Sequence, residues 1–138
     1  MSITDMGILS KTKTKIAFVG LGGVGGYYGG LVSRYAENHP EIEVSFLARG
    51  KHLEAIRQRG LKVSDEKQSF ITYPAIATDK AEEIGVVDYI VLSTKSYDLD
   101  ATMAQIQPMV SKQTILLTLL NGIDNTPPLR EFFPDNHV

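Results

Sequence analysis

KIAFVGLGGVGGYYGG, from Lys15 to Gly30, carries a strand, a turn and the start of a helix in one short stretch. Ile16-Ala17-Phe18-Val19 is an apolar run of the length and character of a strand buried in a parallel sheet. Glycines follow, and the segment through Leu31, Val32 and Tyr35 reads as helix. Gly20, Gly22 and Gly25 stand in G-x-G-x-x-G spacing, the one register these glycines allow. Their tasks differ. Gly20 permits a tight exit from the strand, Gly22 has no Cβ to keep a pyrophosphate away from the backbone, and Gly25 lets the helix pack closely on the sheet. The free N–H groups and positive dipole end of that helix then face the phosphates. The flanking strand and helix lift the motif above a bare glycine-rich turn. The expected contacts with a dinucleotide are Gly20, Leu21, Gly22, Gly23, Val24 and Gly25.

Outward from this stretch, strand and helix keep alternating. Residues 1–14 read as a polar extension, and 15–138 as one domain. His39-Pro40 stops the first helix near Asn38. Glu41–Ala48 is a second strand, and Lys51–Arg59 a short helix ended by Gly60. Leu61–Ser64 and Ser69–Tyr73 flank a polar turn and are expected to form a small hairpin at or near the sheet edge. Thr78 and Asp79 are candidate caps for a short helix through Ile84. Asp88–Ser93 is an apolar strand. Ser96 is a candidate cap for a helix Tyr97–Gln107, with Leu99, Met103 and Ile106 on one face. Thr114–Leu120 is a further apolar strand, Thr126-Pro127-Pro128 opens a short helix through Phe133, and Pro134–Val138 is expected to enter another strand. Short apolar strands alternating with helices predict an α/β domain of the doubly wound, Rossmann type, with a mainly parallel sheet covered on both faces.

Composition excludes several functions. Of 138 residues, 14 are basic and 16 acidic, a net charge of −2 that offers no nucleic-acid patch or membrane-binding face. No run approaches the ~20 apolar residues that span a bilayer. There is no cysteine, hence no disulfide and no thiolate metal site or nucleophile. His39, His52 and His137 share no metal-ligand spacing and are expected on the surface; no metal is expected. MSITDMGILSKTKT lacks the basic start and long apolar stretch of a secretory signal, and a cytoplasmic location is expected.

In doubly wound sheets ligands bind beyond the carboxyl ends of the strands. Four such ends carry suggestive groups: the glycines after the first strand, Arg49 after the second, Thr94 and Lys95 after Asp88–Ser93, and Asn121 after Thr114–Leu120. Arg49 is the most informative. NAD-binding domains place an acid at the end of strand two to accept from the ribose hydroxyls. Here the strand closes Phe46-Leu47-Ala48-Arg49, and a guanidinium suits the 2′-phosphate of NADP. Lys95 alone is equally a solvated strand-end lysine, and Asn121 alone a turn or helix cap. Tyr27 and Tyr28 read as packing groups.

Taken together, KIAFVGLGGVGGYYGG, VSFLARG followed by a helix and GLKV, VLSTKSYD and LLTLLNGID resemble the N-terminal domain of the ketopantoate reductases (2-dehydropantoate 2-reductases), over about residues 15–125. That resemblance implies NADPH as cofactor and reduction of ketopantoate to pantoate, on the route to pantothenate and coenzyme A. It implies that Gly20 to Gly25 hold the pyrophosphate, Arg49 the 2′-phosphate, and Lys95 and Asn121 the ribose–nicotinamide end near a small keto-acid substrate. Members of the family continue into a helical C-terminal domain that carries the general acid and most substrate contacts. On this reading residues 1–138 bind NADPH without turnover. The surface left by the second domain is expected to be apolar and to favour self-association. Two other readings stay open. One is an NAD(H)-sensing regulatory domain, which Arg49 disfavours; the other is a different NADP-linked hydroxyacid dehydrogenase.

Overall fold

A computed structural model describes residues 13–93, 99–119 and 126–138. Five strands, β1 (Thr14–Val19), β2 (Ile42–Leu47), β5 (Ile76–Thr78), β6 (Tyr89–Leu92) and β7 (Ile115–Thr118), form one sheet. Its order is β5-β2-β1-β6-β7, and every neighbouring pair is parallel. The helices are α1 (Val24–Ala36), α2 (Gly50–Arg59), α3 (Ala81–Ile84), α4 (Leu99–Ile106) and α5 (Thr126–Phe132). Parallel pairing demands crossovers, and these helices supply them on both faces.

Strand periodicity divides the core in two. Ala17 and Val19 of β1, with Ile90, Leu92 and Leu116, point to one face and meet Ile84, Leu99, Met103, Ile106 and Leu129. Phe18, Val44, Phe46 and Val91 point to the other and meet Leu21 and Ile56, with Tyr27, Val32 and Ala36 of α1. The one face of α4 expected from Leu99, Met103 and Ile106 is buried as read. The chain steps from β1 through β2 to β5 on one side of the sheet, then returns to β6 and β7 on the other side of β1. The order therefore reverses between β1 and β6, the position at which doubly wound sheets open a crevice. This is the Rossmann-type fold.

Three expectations need correction. The hairpin of β3 (Leu61–Ser64) and β4 (Ser69–Thr72) exists, but as a separate antiparallel two-stranded sheet rather than at the edge of the main one. It lies on α1. A Cβ built on Gly30 would come within 2.1 Å of Val63 Cγ2, so Gly30 clears room for the hairpin rather than for the main sheet. The Arg34 guanidinium lies 4.4 Å over the Phe70 ring, and the Ser33 and Thr72 hydroxyls share a buried hydrogen bond of 2.8 Å. The edge strand beside β2 is β5, which pairs with it from Ser45↔Ile76 to Leu47↔Thr78 and has no counterpart in the sequence reading. Three residues are too few for a periodicity signal. Thr78 thus belongs to a strand and Lys80 occupies the N-cap of α3, although Thr78 Oγ1 still accepts from the Lys80 N–H at 3.1 Å and donates to Glu83 Oε1. At the C-terminal end, Pro134–Val138 contributes one parallel bridge, Ile115↔His137, beyond β7. Ser96, the candidate cap of α4, lies outside the described residues.

Candidate dinucleotide cleft

Between the carboxyl ends of β1, β2 and β6 lies a cleft of about 680 Å³. Gly20 to Gly23 form its floor, Leu47, Ala48, Arg49 and His52 one wall, and Ser93, Ala101, Thr102 and Gln105 the other. Gly20 leaves β1 at φ 84, a left-handed conformation that side chains with a Cβ rarely adopt. A Cβ built on Gly22 meets nothing within 4 Å, so the backbone at this position is open to whatever fills the cleft. Gly25 is the opposite case. Its Cβ would lie 1.9 Å from Ser93 Oγ and 2.3 Å from the Gly20 carbonyl oxygen. Ser93 is the latch of this corner: its N–H donates to Val19 O at 3.0 Å, and its hydroxyl donates to Gly20 O. The third glycine is needed where the helix start, the strand-one turn and the end of β6 converge.

The electrostatics follow from α1. Tyr27 N–H makes the first intrahelical bond, to Gly23 O at 3.1 Å. The amides of Gly23 through Gly26 precede it and have no acceptor within the helix. Among the described residues no side chain caps this terminus, and its first turn contains no acid. The dipole end is therefore uncompensated and adjoins the cleft floor. No carboxylate lines the cleft among the described residues. Arg49, the N-cap of α2, is exposed on the cleft wall, and its guanidinium has no hydrogen bond or ion pair among the described residues. The cleft thus presents two anion-attracting groups, a helix N-terminus and a guanidinium, with an apolar wall of Leu47 and Ala48 between them.

Gly20 to Gly23 and Arg49 meet in this cleft as the strand-end reading expects, while Val24 and Gly25 begin α1 behind it. Lys95 and Asn121 lie outside the described residues. Tyr27 donates its hydroxyl to Asp65 Oδ2 at 3.0 Å, which ties α1 to the hairpin turn and fits a packing role. Sequence reading missed the second wall. In the sequence Ser93 is only the last residue of its strand. Thr102 and Gln105, three apart on α4, carry no separable signal, and His52 reads as a surface histidine. His52 is exposed, yet it lines the cleft one turn after Arg49.

Comparison with known proteins agrees with this geometry. The family model described as ketopantoate reductase PanE/ApbA matches residues 16–138. A 2-dehydropantoate 2-reductase of Mesorhizobium japonicum is 35% identical over 109 residues, 79% of this chain and 32% of the relative. The crystal structure of 2-dehydropantoate 2-reductase from Porphyromonas gingivalis W83 superposes with a TM-score of 0.83 at 45% identity, covering 88% of this chain and 43% of the other. A ternary structure of D-mandelate dehydrogenase with NADH and anilino(oxo)acetate gives 0.70 at 29% identity, over 88% of this chain and 38% of that one. The chain spans about a third of the length of the curated relatives it matches. With the family model covering nearly every residue from β1 onward, the chain belongs to the ketopantoate reductase PanE/ApbA family.

Proposed function

We propose that this chain is the NADP(H)-binding domain of a cytoplasmic ketopantoate-reductase-type oxidoreductase, with the domain running over residues 15–138 and residues 1–14 as an extension. One observation carries the reading. One cleft, without a carboxylate among its described lining residues, joins the start of α1 to Arg49 at the end of β2. The helix start suits a pyrophosphate and the guanidinium suits the 2′-phosphate that distinguishes NADP from NAD. The room beside Gly22 and the volume of the cleft fit such a ligand. When bound, the reduced nicotinamide supplies a hydride to a keto carbon. The chain's own residues bind and orient: Gly20 to Gly25 hold the pyrophosphate, and Arg49 fixes the adenosine end. Lys95 and Asn121 follow the last residues of β6 and β7 by three positions each, and the family likeness supports a role for them at the ribose–nicotinamide end beside the small keto acid.

The general acid and most substrate contacts are assigned to the part of the longer relatives beyond the stretch that this chain matches, and NADPH binding is assigned to residues 15–138. On the α1 side of β6 and β7, Tyr89 and Leu117 are 36% and 45% exposed, an apolar sheet face through which the isolated chain is expected to self-associate. Among the described residues no helix is long and apolar enough to cross a membrane.

Calorimetric titration tests the cofactor reading. A hydrogen bond to a charged group contributes about 1.5–3 kcal/mol, so Arg49→Ala should weaken NADPH binding roughly 10- to 100-fold and leave NADH unchanged. Equal losses for both cofactors remove Arg49 from the phosphate role, and no NADPH binding by the unaltered chain removes the reading itself. The likeness to D-mandelate dehydrogenase supports a second reading, a related hydroxyacid dehydrogenase. Turnover of ketopantoate against aromatic 2-oxo acids by the full-length protein separates the two.

A further inference from the structure

The start of α2 is built against its own stability. Arg49 is the N-cap, and Gly50, Lys51 and His52 fill the first turn. Helices favour Asp or Glu there, with Glu or Gln at the third position to cap the free amides. This helix has no acid in its first turn and no side-chain cap. Its first intrahelical bond is Leu53 N–H to Arg49 O at 3.3 Å, so the three amides before Leu53 lack helical acceptors. Two cationic side chains, Arg49 and Lys51, and the imidazole of His52 thus crowd a positive dipole end. Lys51 is exposed and does not line the cleft, whereas Arg49 and His52, three apart and on one helix face, do. Two other polar lining groups are already engaged: Ser93 donates to Gly20 O, and Gln105 Nε2 donates to Asp79 O at 3.3 Å. The Arg49 and His52 side chains have no hydrogen-bond or ion-pair partner among the described residues.

Resting on the NADP(H) reading above, we infer that His52 is a second ligand of the 2′-phosphate, so that guanidinium, imidazole and the free amides of α2 grip one phosphate monoester. The arrangement makes chemical sense of an otherwise unfavourable helix start. A dianion there satisfies the amides and compensates the dipole, and the side chains that oppose the helix when the cleft is empty hold the ligand when it is filled. It also means that cofactor preference resides in two residues, of which Arg49 alone is conspicuous in the sequence.

The test titrates the chain with two pairs of probes, NADPH against NADH and adenosine 2′,5′-bisphosphate against 5′-AMP. His52→Ala should weaken the first member of each pair about 10-fold, equivalent to about 1.4 kcal/mol, with the second unchanged. His52→Gln, which keeps an N–H donor, should recover most of that loss. His52→Glu should separate stability from binding. Complementing the dipole should raise the melting temperature of the ligand-free chain by roughly 1–4 °C, while NADPH binding falls further than in the alanine variant. Undiminished NADPH affinity in the alanine and glutamate variants, or equal losses for both members of each pair, overturns the inference. If Arg49→Ala abolishes the preference and His52→Ala leaves it intact, this inference alone fails. If the unaltered chain does not prefer NADPH, the parent reading fails with it.

Discussion

Gly25→Ala and Gly22→Val separate what the glycine turn does for the fold from what it does for a ligand. At Gly25 the new methyl would sit 1.9 Å from Ser93 Oγ and 2.8 Å from Ser93 Cβ, with the Gly20 carbonyl oxygen at 2.3 Å. Backbone cannot swing aside as a long side chain can, so the turn, the start of α1 or the end of β6 must move. Overpacking of this kind costs about 1–3 kcal/mol. Displacing Ser93 also breaks its hydrogen bond to Gly20 O, worth about 0.5–1.5 kcal/mol. The helix-propensity gain of alanine over glycine, at most about 1 kcal/mol, offsets part of this. Net destabilisation of roughly 1–3 kcal/mol should lower the melting temperature by several degrees, and NADPH binding should fall with it. Gly22 is exposed and its Cβ position is open, so valine should leave stability within about 0.5 kcal/mol and still abolish binding. Urea melts of the ligand-free variants and NADPH titrations supply the four numbers. A Gly25→Ala chain as stable as the parent refutes the latch, and a Gly22→Val chain with normal NADPH affinity refutes the phosphate-binding turn.

Two further perturbations probe the hairpin. Gly30→Ala drives a methyl to within 2.1 Å of Val63 Cγ2 and should cost about 1–3 kcal/mol; Val63→Ala in the same chain should recover part of it, and strictly additive effects in a double-mutant cycle would contradict the contact. The Lys67 backbone N–H at 2.8 Å, with the Tyr27 hydroxyl, holds the Asp65 carboxyl below its ordinary value. A depressed carboxylate contributes stability that is complete above the unfolded value, about 3.9, and is lost as pH falls through the lower folded one. The melting-temperature gap between the parent and Asp65→Asn should therefore be open at neutral pH and close in acid; a gap independent of pH assigns it to something other than the charge.

Most of the sheet was legible because its signals are local. The apolar run of β1, the glycine spacing and the stop at His39-Pro40 each lie within a few residues, and periodicity alone buried the right face of α4. What escaped the sequence reading depends on partners far apart in the chain. β5 is a strand only because β2 pairs with it. The hairpin stands clear of the main sheet because Gly30 gives Val63 a place on α1. Ser93 finds Gly20 across 73 residues, a contact that no window along the chain contains. The candidate site divides in the same way. Its floor and Arg49 follow strand ends and could be listed in order, whereas the wall from Ala101 to Gln105 comes from a helix on the opposite face, placed by the reversal of strand order between β1 and β6.

His52 shows why that division matters for function. Read alone, it is an exposed histidine among polar neighbours, and exposure argues for nothing. Read as the third residue of a helix whose first turn is basic, whose amides are uncapped and whose N-cap is Arg49, it opposes local stability. Local choices that conflict with the element they sit in concentrate where function has overridden foldability. The same reasoning covers α1, where Gly25, Gly26, Gly29 and Gly30 all weaken the helix. Gly25 is required by Ser93 and Gly30 by Val63, so those two resolve into packing. The uncapped amides and the basic first turn of α2 resolve into no contact among the described residues, and a phosphate is the group that would satisfy both.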